Sequence, residues 1–304
     1  MAFAIHKKMK CEEMKMRRSI AVLLVLVLTL ALCACGQTAA PAAPAAEAPA
    51  TEAPVVEEAA PVQFRVGMEC AYAPNNWQED TASDTNVPIE NVPGAFAEGY
   101  DVQIAKAIAS ELGYELVIVK MAWSGLIEAL NQGQIDAIIA GMADTAERRE
   151  SINFSEPYHV TEYGVMVKSG SPYESAATIH DFSGASILGQ KDTQLDTVID
   201  QMDGVNHLTP VDSVPNMISR LAQGTCDGIT VNVENTDSYL ESNPDFVVIR
   251  FAQGDGFDLG FVGACVGLRL EDEELLSNVN AALATVDDAQ REALWDSAVE
   301  NQPK

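Results

Sequence analysis

The segment from Asp136 to Tyr158, DAIIAGMADTAERRESINFSEPY, contains the side chain with the clearest chemical use, the guanidinium of Arg148. Its apolar start predicts a short buried strand over 136–141, followed by a tight turn. A helix should then begin at Asp144 or Thr145, where a side-chain oxygen can cap the first free N–H groups. Arg148 falls in the first helical turn, where the helix dipole disfavours a cation. An anion held jointly by backbone N–H groups and the guanidinium would explain this placement.

A second interpretation of Arg148 is structural. An arginine on a solvated helix face can pair loosely with a neighbouring carboxylate, here Glu147 or Glu150. Spacing alone leaves both interpretations open. If an anion is bound, a planar carboxylate is the expected one, because a guanidinium addresses it with two parallel hydrogen bonds.

The elements that must position Arg148 alternate between strand and helix from Val62 to Lys304. Such alternation predicts parallel sheets covered by helices on both faces. The pattern occurs twice, which predicts two α/β units with ligand chemistry in the crevice beyond the strand ends. Two closing helices, near 275–283 and 290–299, have no sheet of their own. We expect them to return to the first unit.

The start of the chain, from Met1 to Ala34, is predicted to be a targeting segment. Arg17 and Arg18 precede an apolar run from Ile20 to Leu32, which is too short to span a bilayer comfortably and has the length of a signal-peptide core. The run ends in LCACG, which resembles a bacterial lipobox. That resemblance implies cleavage before Cys35 and a diacylglycerol on its sulfur. A plain secretory signal with a fortuitous cysteine is the alternative.

A tether is predicted between Cys35 and the folded part, over positions 35–61. The segment QTAAPAAPAAEAPATEAPVVEEAAP consists almost wholly of Ala, Pro and Glu, with five prolines and four glutamates. This composition cannot bury a core and favours an extended, self-repelling chain. At about 3.1 Å per residue it would reach roughly 75 Å, enough to clear a membrane surface.

Charge and cysteine usage exclude several classes of function. The net charge of −27 makes nucleic acid a poor partner and leaves the lipid anchor as the predicted link to a membrane. No metal-ligand or phosphate-loop motif occurs, so neither a metal nor a cofactor is predicted. Three cysteines fall in the predicted folded part, so at least one is unpaired in a monomer: Cys70, Cys226 and Cys265.

Several linked segments, taken together, identify a family resemblance. These are VGMECAYAPNNW, GYDVQIAKAIASELG, WSGLIEALNQGQIDAIIAGMADTAERRESINFSEPY, GQKDTQLD, and GTCDGI leading to YLESNPDF. From about Phe64 to the last helices, the chain resembles the polar-amino-acid family of bacterial extracellular solute-binding proteins, the capture subunits of ABC importers. The resemblance implies an α/β fold of two lobes joined by two crossover strands, closing on a ligand in the cleft. The first lobe would comprise 62–168 and 260–304, and the second lobe 169–259.

The resemblance also implies how a ligand carboxylate and ammonium are held. Arg148 would bind the carboxylate, helped by the backbone N–H groups of Ala143 and Thr193. The carbonyl of Gly141 would accept from the ammonium, and Gln194 belongs to the same predicted site. Since the carboxylate is shared by both lobes, ligand binding would favour the closed state.

Three further residues are implied at the ligand side chain. Tyr72 and Trp123 occupy positions where aromatic rings flank the ligand, although plain core packing would also account for them. Glu69 stands where an acidic residue often faces the side-chain pocket. A solvated carboxylate at a strand end is the alternative for Glu69.

The chain departs from the family pattern at three positions. Ala143 replaces the usual Ser or Thr, and Asn232 replaces the usual Asp or Glu, so an ammonium would be held less well. Either Glu69 or Glu234 compensates, or the ligand is not an ordinary α-amino acid. Asp192 stands where Gly is common, and it either favours a cationic ligand side chain or caps the following helix.

The resulting expectation is a monomeric, lipid-anchored receptor rather than an enzyme. It would capture a polar or charged amino acid, or a close analogue, at the outer face of the cytoplasmic membrane, on the periplasmic side if an outer membrane is present. It would deliver that ligand to the permease subunits of an ABC importer. One alternative is an enzyme on the same scaffold, such as a dehydratase of the cyclohexadienyl type, with Glu69 as the available acid or base. Another is a sensor whose closed form is read by a membrane protein.

Overall fold

A computed structural model of the chain describes residues 61–259 and 263–303. The predicted signal segment, Cys35 and the tether up to position 60 lie outside these described residues, as do residues 260–262 of the predicted first lobe. Within the described part, the helices are too short or too polar for any of them to be a membrane span.

The described strands form two large sheets and one small sheet. In chain order the strands are β1 (Gln63–Met68), β2 (Ala71–Tyr72), β3 (Asn76–Glu79), β4 (Val87–Pro88), β5 (Phe96–Glu98), β6 (Glu115–Lys120), β7 (Ala137–Ile138), β8 (Ile152–Val160), β9 (Tyr163–Lys168), β10 (Ser186–Leu188), β11 (Asn206–His207), β12 (Gly228–Asn232), β13 (Phe246–Ile249) and β14 (Gly263–Arg269). The α-helices are α1 (Tyr100–Leu112), α2 (Leu126–Asn131), α3 (Gln194–Thr197), α4 (Val214–Ala222), α5 (Asp237–Ser242), α6 (Glu273–Thr285) and α7 (Asp288–Asn301).

The first large sheet has the strand order β6-β1-β7-β14-β8. β1 pairs in parallel with β6 and β7, whereas β14 runs antiparallel to β7 and β8. The closing helices α6 and α7 contribute Val279, Leu283 and Ala298 to the same core as β1 and α1. The chain therefore returns to its first sheet at the end.

The second large sheet has the order β11-β10-β12-β9-β13. β10 pairs in parallel with β11 and β12, and β9 runs antiparallel to β12 and β13. Successive residues of β9 point to opposite faces. Met166 accordingly enters one apolar cluster, while Val165 and Val167 enter another.

We call the first sheet with the small sheet, α1, α2, α6 and α7 the first lobe, and β9–β13 with α3–α5 the second lobe. The small sheet, in the order β2-β3-β5-β4, lies between Ala71 and Glu98 and was not predicted. Only Thr161 and Glu162 separate β8 of the first lobe from β9 of the second. The predicted two-lobe α/β fold is confirmed, while its exact boundaries stay a prediction.

Some local expectations were wrong. Both large sheets are mixed rather than parallel, because β14 and β9 join them in the antiparallel direction. The segment around Arg148 forms turns and a short 3₁₀-helix, Arg148–Glu150, in place of an α-helix from Asp144 or Thr145. The strand predicted over 136–141 is only the two residues of β7.

The three cysteines of the folded part, Cys70, Cys226 and Cys265, are all free and buried. The expectation that at least one is unpaired is therefore confirmed.

Candidate ligand-binding cleft

One cavity lies between the two lobes and is lined by all nine residues predicted for the ligand. Its volume is about 580 Å³, including a part open to solvent. The predicted residues that line it are Glu69, Tyr72, Trp123, Gly141, Ala143, Arg148, Thr193, Gln194 and Asn232. Residues that were not predicted also line it: Asn75, Ala140, His159, Thr161, Tyr163, Gln190, Leu195, Asn235, Gly263 and Ala264.

Arg148 is the first residue of the short 3₁₀-helix Arg148–Glu150, and its guanidinium joins the lobes. Its backbone N–H donates to Thr145 Oγ1 over 3.2 Å, so the expected cap exists without a long helix. Nη1 donates to the carbonyl of Ala143 over 2.6 Å, and Nη2 donates to the carbonyl of Asp192 over 2.9 Å. Burial lowers the pKa of Arg148, against the opposing effect of nearby acidic groups. An arginine stays charged under such a shift, so the cavity retains a half-buried cation.

Trp123 covers the Arg148 guanidinium and shares its acceptor. The guanidinium carbon lies 5.2 Å from the centroid of the Trp123 ring, a favourable cation–π distance. Trp123 Nε1 donates to the same Asp192 carbonyl over 3.1 Å. Trp123 is thus a cleft residue that also packs against the core of the first lobe.

The loop before α3 presents its backbone to this pair of donors. Asp192 has a φ of +59°, in the left-handed region, and its carbonyl is the shared acceptor. Thr193 caps α3: its Oγ1 accepts from the backbone N–H of Leu195 over 3.1 Å and donates to the carbonyl of Gln190 over 2.8 Å. The interpretation of Asp192 as the helix cap was therefore wrong. Its carboxylate is largely exposed at the cleft mouth.

Gly141 is held by a buried hydrogen-bond chain. Its N–H donates to Tyr158 Oη over 3.0 Å, and Tyr158 in turn donates to Asp101 Oδ1 over 2.7 Å. Asp101 is fully buried and also accepts from Asn76 Nδ2 over 2.8 Å. A Cβ at Gly141 would lie 3.1 Å from a ring carbon of Tyr72, so this position tolerates little beyond glycine. Gly141 lines the cavity, and its part in ligand binding stays a prediction; the hydrogen-bond network behind it was not predicted from the sequence.

Glu69 is the only carboxylate among the described residues that line the cavity. Burial raises its pKa to about 7, although a hydrogen bond from Gln190 acts in the opposite direction. That bond is long: Gln190 Nε2 lies 3.4 and 3.5 Å from the two carboxylate oxygens. Glu69 is half-buried and has one weak donor, so its carboxylate is poorly satisfied and would be stabilised by a cation.

Asn232 belongs to a chain of hydrogen bonds that leaves the cavity. Its Oδ1 accepts from Tyr72 Oη over 3.0 Å, and its Nδ2 donates to Thr161 Oγ1 over 2.7 Å. Thr161 donates to Glu234 Oε2 over 2.7 Å. Of the two carboxylates expected to compensate for Asn232, Glu69 therefore faces the cavity, whereas Glu234 does not.

Two further hydrogen bonds join the lobes. Asn235 Nδ2 donates to Asn75 Oδ1 over 2.8 Å, with both residues only 3% exposed. Tyr239 Oη donates to the carbonyl of Ala73 over 3.0 Å. Asn235 lies just beyond the end of β12, and polar side chains at such a position are a signal that could have identified it. Thr161 carried no comparable local signal, and Gln190 stands in the quoted segment GQKDTQLD without having been singled out.

His159 forms part of the cavity wall in a neutral state. Its ring stacks on Trp295 with centroids 4.1 Å apart, and burial lowers its pKa to about 4. In the described part of the chain, no group of three or more His, Cys, Asp or Glu side chains is arranged to hold a metal ion. The Arg148 guanidinium and the Glu69 carboxylate, which both line the cavity, are suited to an organic ion with both an anionic and a cationic group.

The chain is similar in sequence to a known family and to individual proteins of known binding function. The profile of the family described as "Bacterial extracellular solute-binding proteins, family 3" matches residues 64–294. The arginine-binding extracellular protein ArtP of Bacillus subtilis strain 168 is 26% identical over 211 residues, 66% of this chain and 77% of that protein. The L-cystine-binding protein TcyJ of Escherichia coli strain K12 is 26% identical over 220 residues, 72% of this chain and 75% of that protein.

A solved structure extends the likeness to three dimensions. The arginine-bound form of truncated ArgBP from T. maritima matches with a TM-score of 0.62 and 27% identity, covering 74% of this chain and 96% of that one. The family profile spans most of the described residues and includes both lobes with the cleft between them. The chain therefore belongs to the bacterial extracellular solute-binding proteins of family 3.

Proposed function

We propose that this protein captures a cationic amino acid, with L-arginine as the first candidate, and delivers it to the permease subunits of an ABC importer. The observation that carries the proposal is the placement of Glu69 and Arg148 in one cavity. An amino acid with a basic side chain has both a carboxylate for Arg148 and a second cation for Glu69. The names of the arginine-binding relatives support the same ligand class.

The roles of the remaining residues follow from the same placement. Ala143 and Thr193 offer backbone N–H groups beside Arg148, and the carbonyl of Gly141 accepts from the ammonium. Tyr72 and Trp123 enclose the apolar stem of the ligand. Gln194 supports the wall by accepting from Tyr163 Oη over 3.0 Å. Because these groups come from both lobes, the ligand completes its contacts only when the cleft is closed.

Titration calorimetry on the purified full-length protein tests the proposed ligand. L-arginine, L-lysine and L-histidine should bind more tightly than L-glutamate and L-cystine. Arg148→Ala should weaken binding about 100-fold, since it removes a charged partner of a desolvated carboxylate. Arg149→Ala is the matched control, because Arg149 is exposed and paired with Asp144 outside the cavity. Equal effects of the two variants would contradict the proposed site.

Binding rather than catalysis is proposed because Glu69 has no second carboxylate beside it among the described lining residues. L-arginine recovered unchanged after long incubation is the expected result. Conversion of the ligand would favour the enzyme alternative.

The proposal includes anchoring at the outer face of the cytoplasmic membrane through a lipid on Cys35, with the protein acting as a monomer. The lipobox-like LCACG sequence and the Ala/Pro/Glu tether support it. Mass spectrometry of the mature N-terminus should find diacylglyceryl-modified Cys35. Cys35→Ser should release the protein from membranes. If the wild-type protein carried no lipid and did not stay with the membrane, the proposed anchor would be wrong, while the proposed ligand capture would not be contradicted.

A further inference from the structure

Four side chains form a directional hydrogen-bond chain from the cavity to a carboxylate outside it. Tyr72 donates to Asn232 Oδ1, Asn232 Nδ2 donates to Thr161 Oγ1, and Thr161 donates to Glu234 Oε2, over 3.0, 2.7 and 2.7 Å. The other oxygen of Glu234 accepts from the backbone N–H of Glu162 over 2.7 Å. Thr161 and Glu162 are the whole link between β8 and β9, so the chain lies at the crossing between lobes.

The chain fixes which end of the Asn232 amide faces the cavity. A carboxylate only accepts hydrogen bonds, so the single hydroxyl proton of Thr161 is used on Glu234. Thr161 Oγ1 can then only accept from Asn232, which requires the NH₂ group on that side. The carbonyl oxygen of Asn232 must point the other way, toward Tyr72 and the cavity. Without Glu234, the Thr161 proton could turn to Asn232 and allow the flipped amide.

We propose that Glu234 and Thr161 are positioning residues that hold Asn232 Oδ1 toward the ligand, where it accepts an N–H of the ligand ammonium. An amide oxygen has two acceptor sites, and Tyr72 uses one of them. The second is the acceptor that the cavity offers to the ammonium in place of a carboxylate at position 232. This inference rests on the proposed capture of an amino acid. It goes further by assigning a role to a carboxylate that the ligand never touches.

The test compares two ligands that differ only in the ammonium group. L-arginine and 5-guanidinopentanoate share a carboxylate and a guanidinium, but the second lacks the α-ammonium. Thr161→Val keeps the side-chain shape and removes the hydroxyl. It should weaken the binding of L-arginine about ten times more than the binding of 5-guanidinopentanoate. Thr161→Ser retains the hydroxyl and should restore L-arginine binding. Equal weakening of both ligands, or of neither, would overturn the proposal.

Glu234→Gln tests the carboxylate separately. Glutamine can donate to Thr161, which frees the Thr161 proton and releases the amide of Asn232. The loss should again be selective for L-arginine. Glu162→Gln is the matched control, because it removes a neighbouring carboxylate whose side chain pairs at 3.9 Å with Arg250 and lies outside the chain. If Glu162→Gln also weakened L-arginine binding selectively, the loss of any nearby negative charge would explain the effect, and the proposal would be overturned.

A readout without any ligand separates this inference from the proposed function. The Asn232 side-chain NH₂ can be assigned in ¹H–¹⁵N spectra of the full-length protein from its absence in Asn232→Asp. Its protons should exchange with water about fivefold faster in Thr161→Val, because the hydrogen bond to Thr161 is lost. If no basic amino acid binds the wild type, the proposed function fails, yet this measurement still decides the orientation of Asn232. An unchanged exchange rate would refute that orientation.

Discussion

Arg148 of the first lobe donates through Nη2 to the backbone carbonyl of Asp192 in the second lobe, over 2.9 Å. The residue proposed to bind the ligand carboxylate therefore also holds the lobes together. Trp123 Nε1 donates to the same carbonyl over 3.1 Å. The closed cleft thus has hydrogen bonds between protein groups that do not depend on a ligand. They should lower the free energy of the closed state before any ligand binds.

Trp123→Phe should shift the unliganded protein toward an open cleft. The ring remains over Arg148, but the indole donor to Asp192 is lost, at about 1 kcal/mol. Since the closed state binds the ligand, affinity for L-arginine should fall about fivefold. Small-angle scattering of the unliganded protein should give a larger radius of gyration for the variant.

Trp77→Phe is the matched control for that experiment. Trp77 also loses an indole hydrogen bond, to Glu79 over 2.7 Å, but both partners lie in the first lobe. It should not change the radius of gyration of the folded protein. If both variants opened the cleft equally, the Asp192 carbonyl would not be the closing contact.

Ligand affinity should depend on pH through Glu69, whose pKa burial raises to about 7. A ligand cation needs the charged carboxylate, so binding releases a proton below that pH. The dissociation constant for L-arginine should rise about tenfold for each pH unit below about 7. Calorimetry between about pH 5 and 8 measures this slope. Glu69→Gln should bind L-arginine weakly, with a dissociation constant that no longer changes with pH. If the pH dependence persisted in this variant, another group would be the one that titrates.

The stability of the unliganded protein should depend on pH in the opposite direction from ligand affinity: it should fall as the pH rises. Folding raises the pKa of Glu69 from 4.5 to about 7, so the folded state binds the proton more tightly than the unfolded state. The resulting stabilisation is present below about pH 4.5 and is lost as the pH rises to about 7. Saturating L-arginine should remove this loss. Thermal unfolding with and without the ligand checks both signs.

An element can be predicted from the sequence when its whole signal lies in neighbouring residues, and α1 is an example. α1 begins at Tyr100, buries Val102, Ala105 and Ile108, and ends at Leu112, where Gly113 caps it in the left-handed conformation. Both the spacing of its apolar residues and the glycine that terminates it are features of residues close together in the sequence. The predicted helix after Asp144 failed for the opposite reason. Ala143 there pairs with Ala264, a contact distant in sequence that local spacing cannot reveal.

The residues of the candidate site also differ in whether their signal is local in the sequence. Arg148 and Asn232 were identified because they stand in segments with a recognisable pattern. The partners of Asn232 were not, since Tyr72, Thr161 and Glu234 meet only after the two lobes come together. The cap was one of two interpretations of Asp192, because an aspartate side chain can accept from the first free N–H groups of a helix, whereas the structure has Thr193 in that place. A positive φ at Asp192 decides the matter and cannot be inferred from residue type.

His207 should stabilise the second lobe most at low pH. It lies between Asp196 of α3 and Asp200, with ring nitrogens 2.8 and 2.9 Å from their oxygens. Burial alone would lower its pKa, but the hydrogen bonds to both carboxylates outweigh burial and raise it. The charged imidazole therefore adds stability below the unfolded pKa of about 6.5, and this is lost as the pH rises through the raised folded pKa.

Thermal unfolding of His207→Gln across pH measures that contribution. The melting temperature should fall below that of the wild type in acid, and the two should converge at alkaline pH. His180→Gln is the control, because His180 pairs with Asp203 between largely exposed side chains, where an ion pair contributes little. A difference for His207→Gln that stayed constant across pH would point to packing rather than charge.

Asp192→Gly should stabilise the protein without weakening ligand binding. Asp192 adopts a φ of +59°, where a Cβ costs up to about 1–2 kcal/mol and glycine has no such cost. Its contact with Arg148 and Trp123 uses the backbone carbonyl, which glycine retains. We expect a gain of roughly 0.5–1 kcal/mol in the free energy of unfolding, since aspartate tolerates this region better than most residues. Asp192→Asn separates strain from charge, because asparagine keeps the Cβ and removes the carboxylate. If Asn weakens L-arginine binding as much as Gly does, the carboxylate at the cleft mouth attracts the cation; if neither does, Asp192 acts only through its carbonyl.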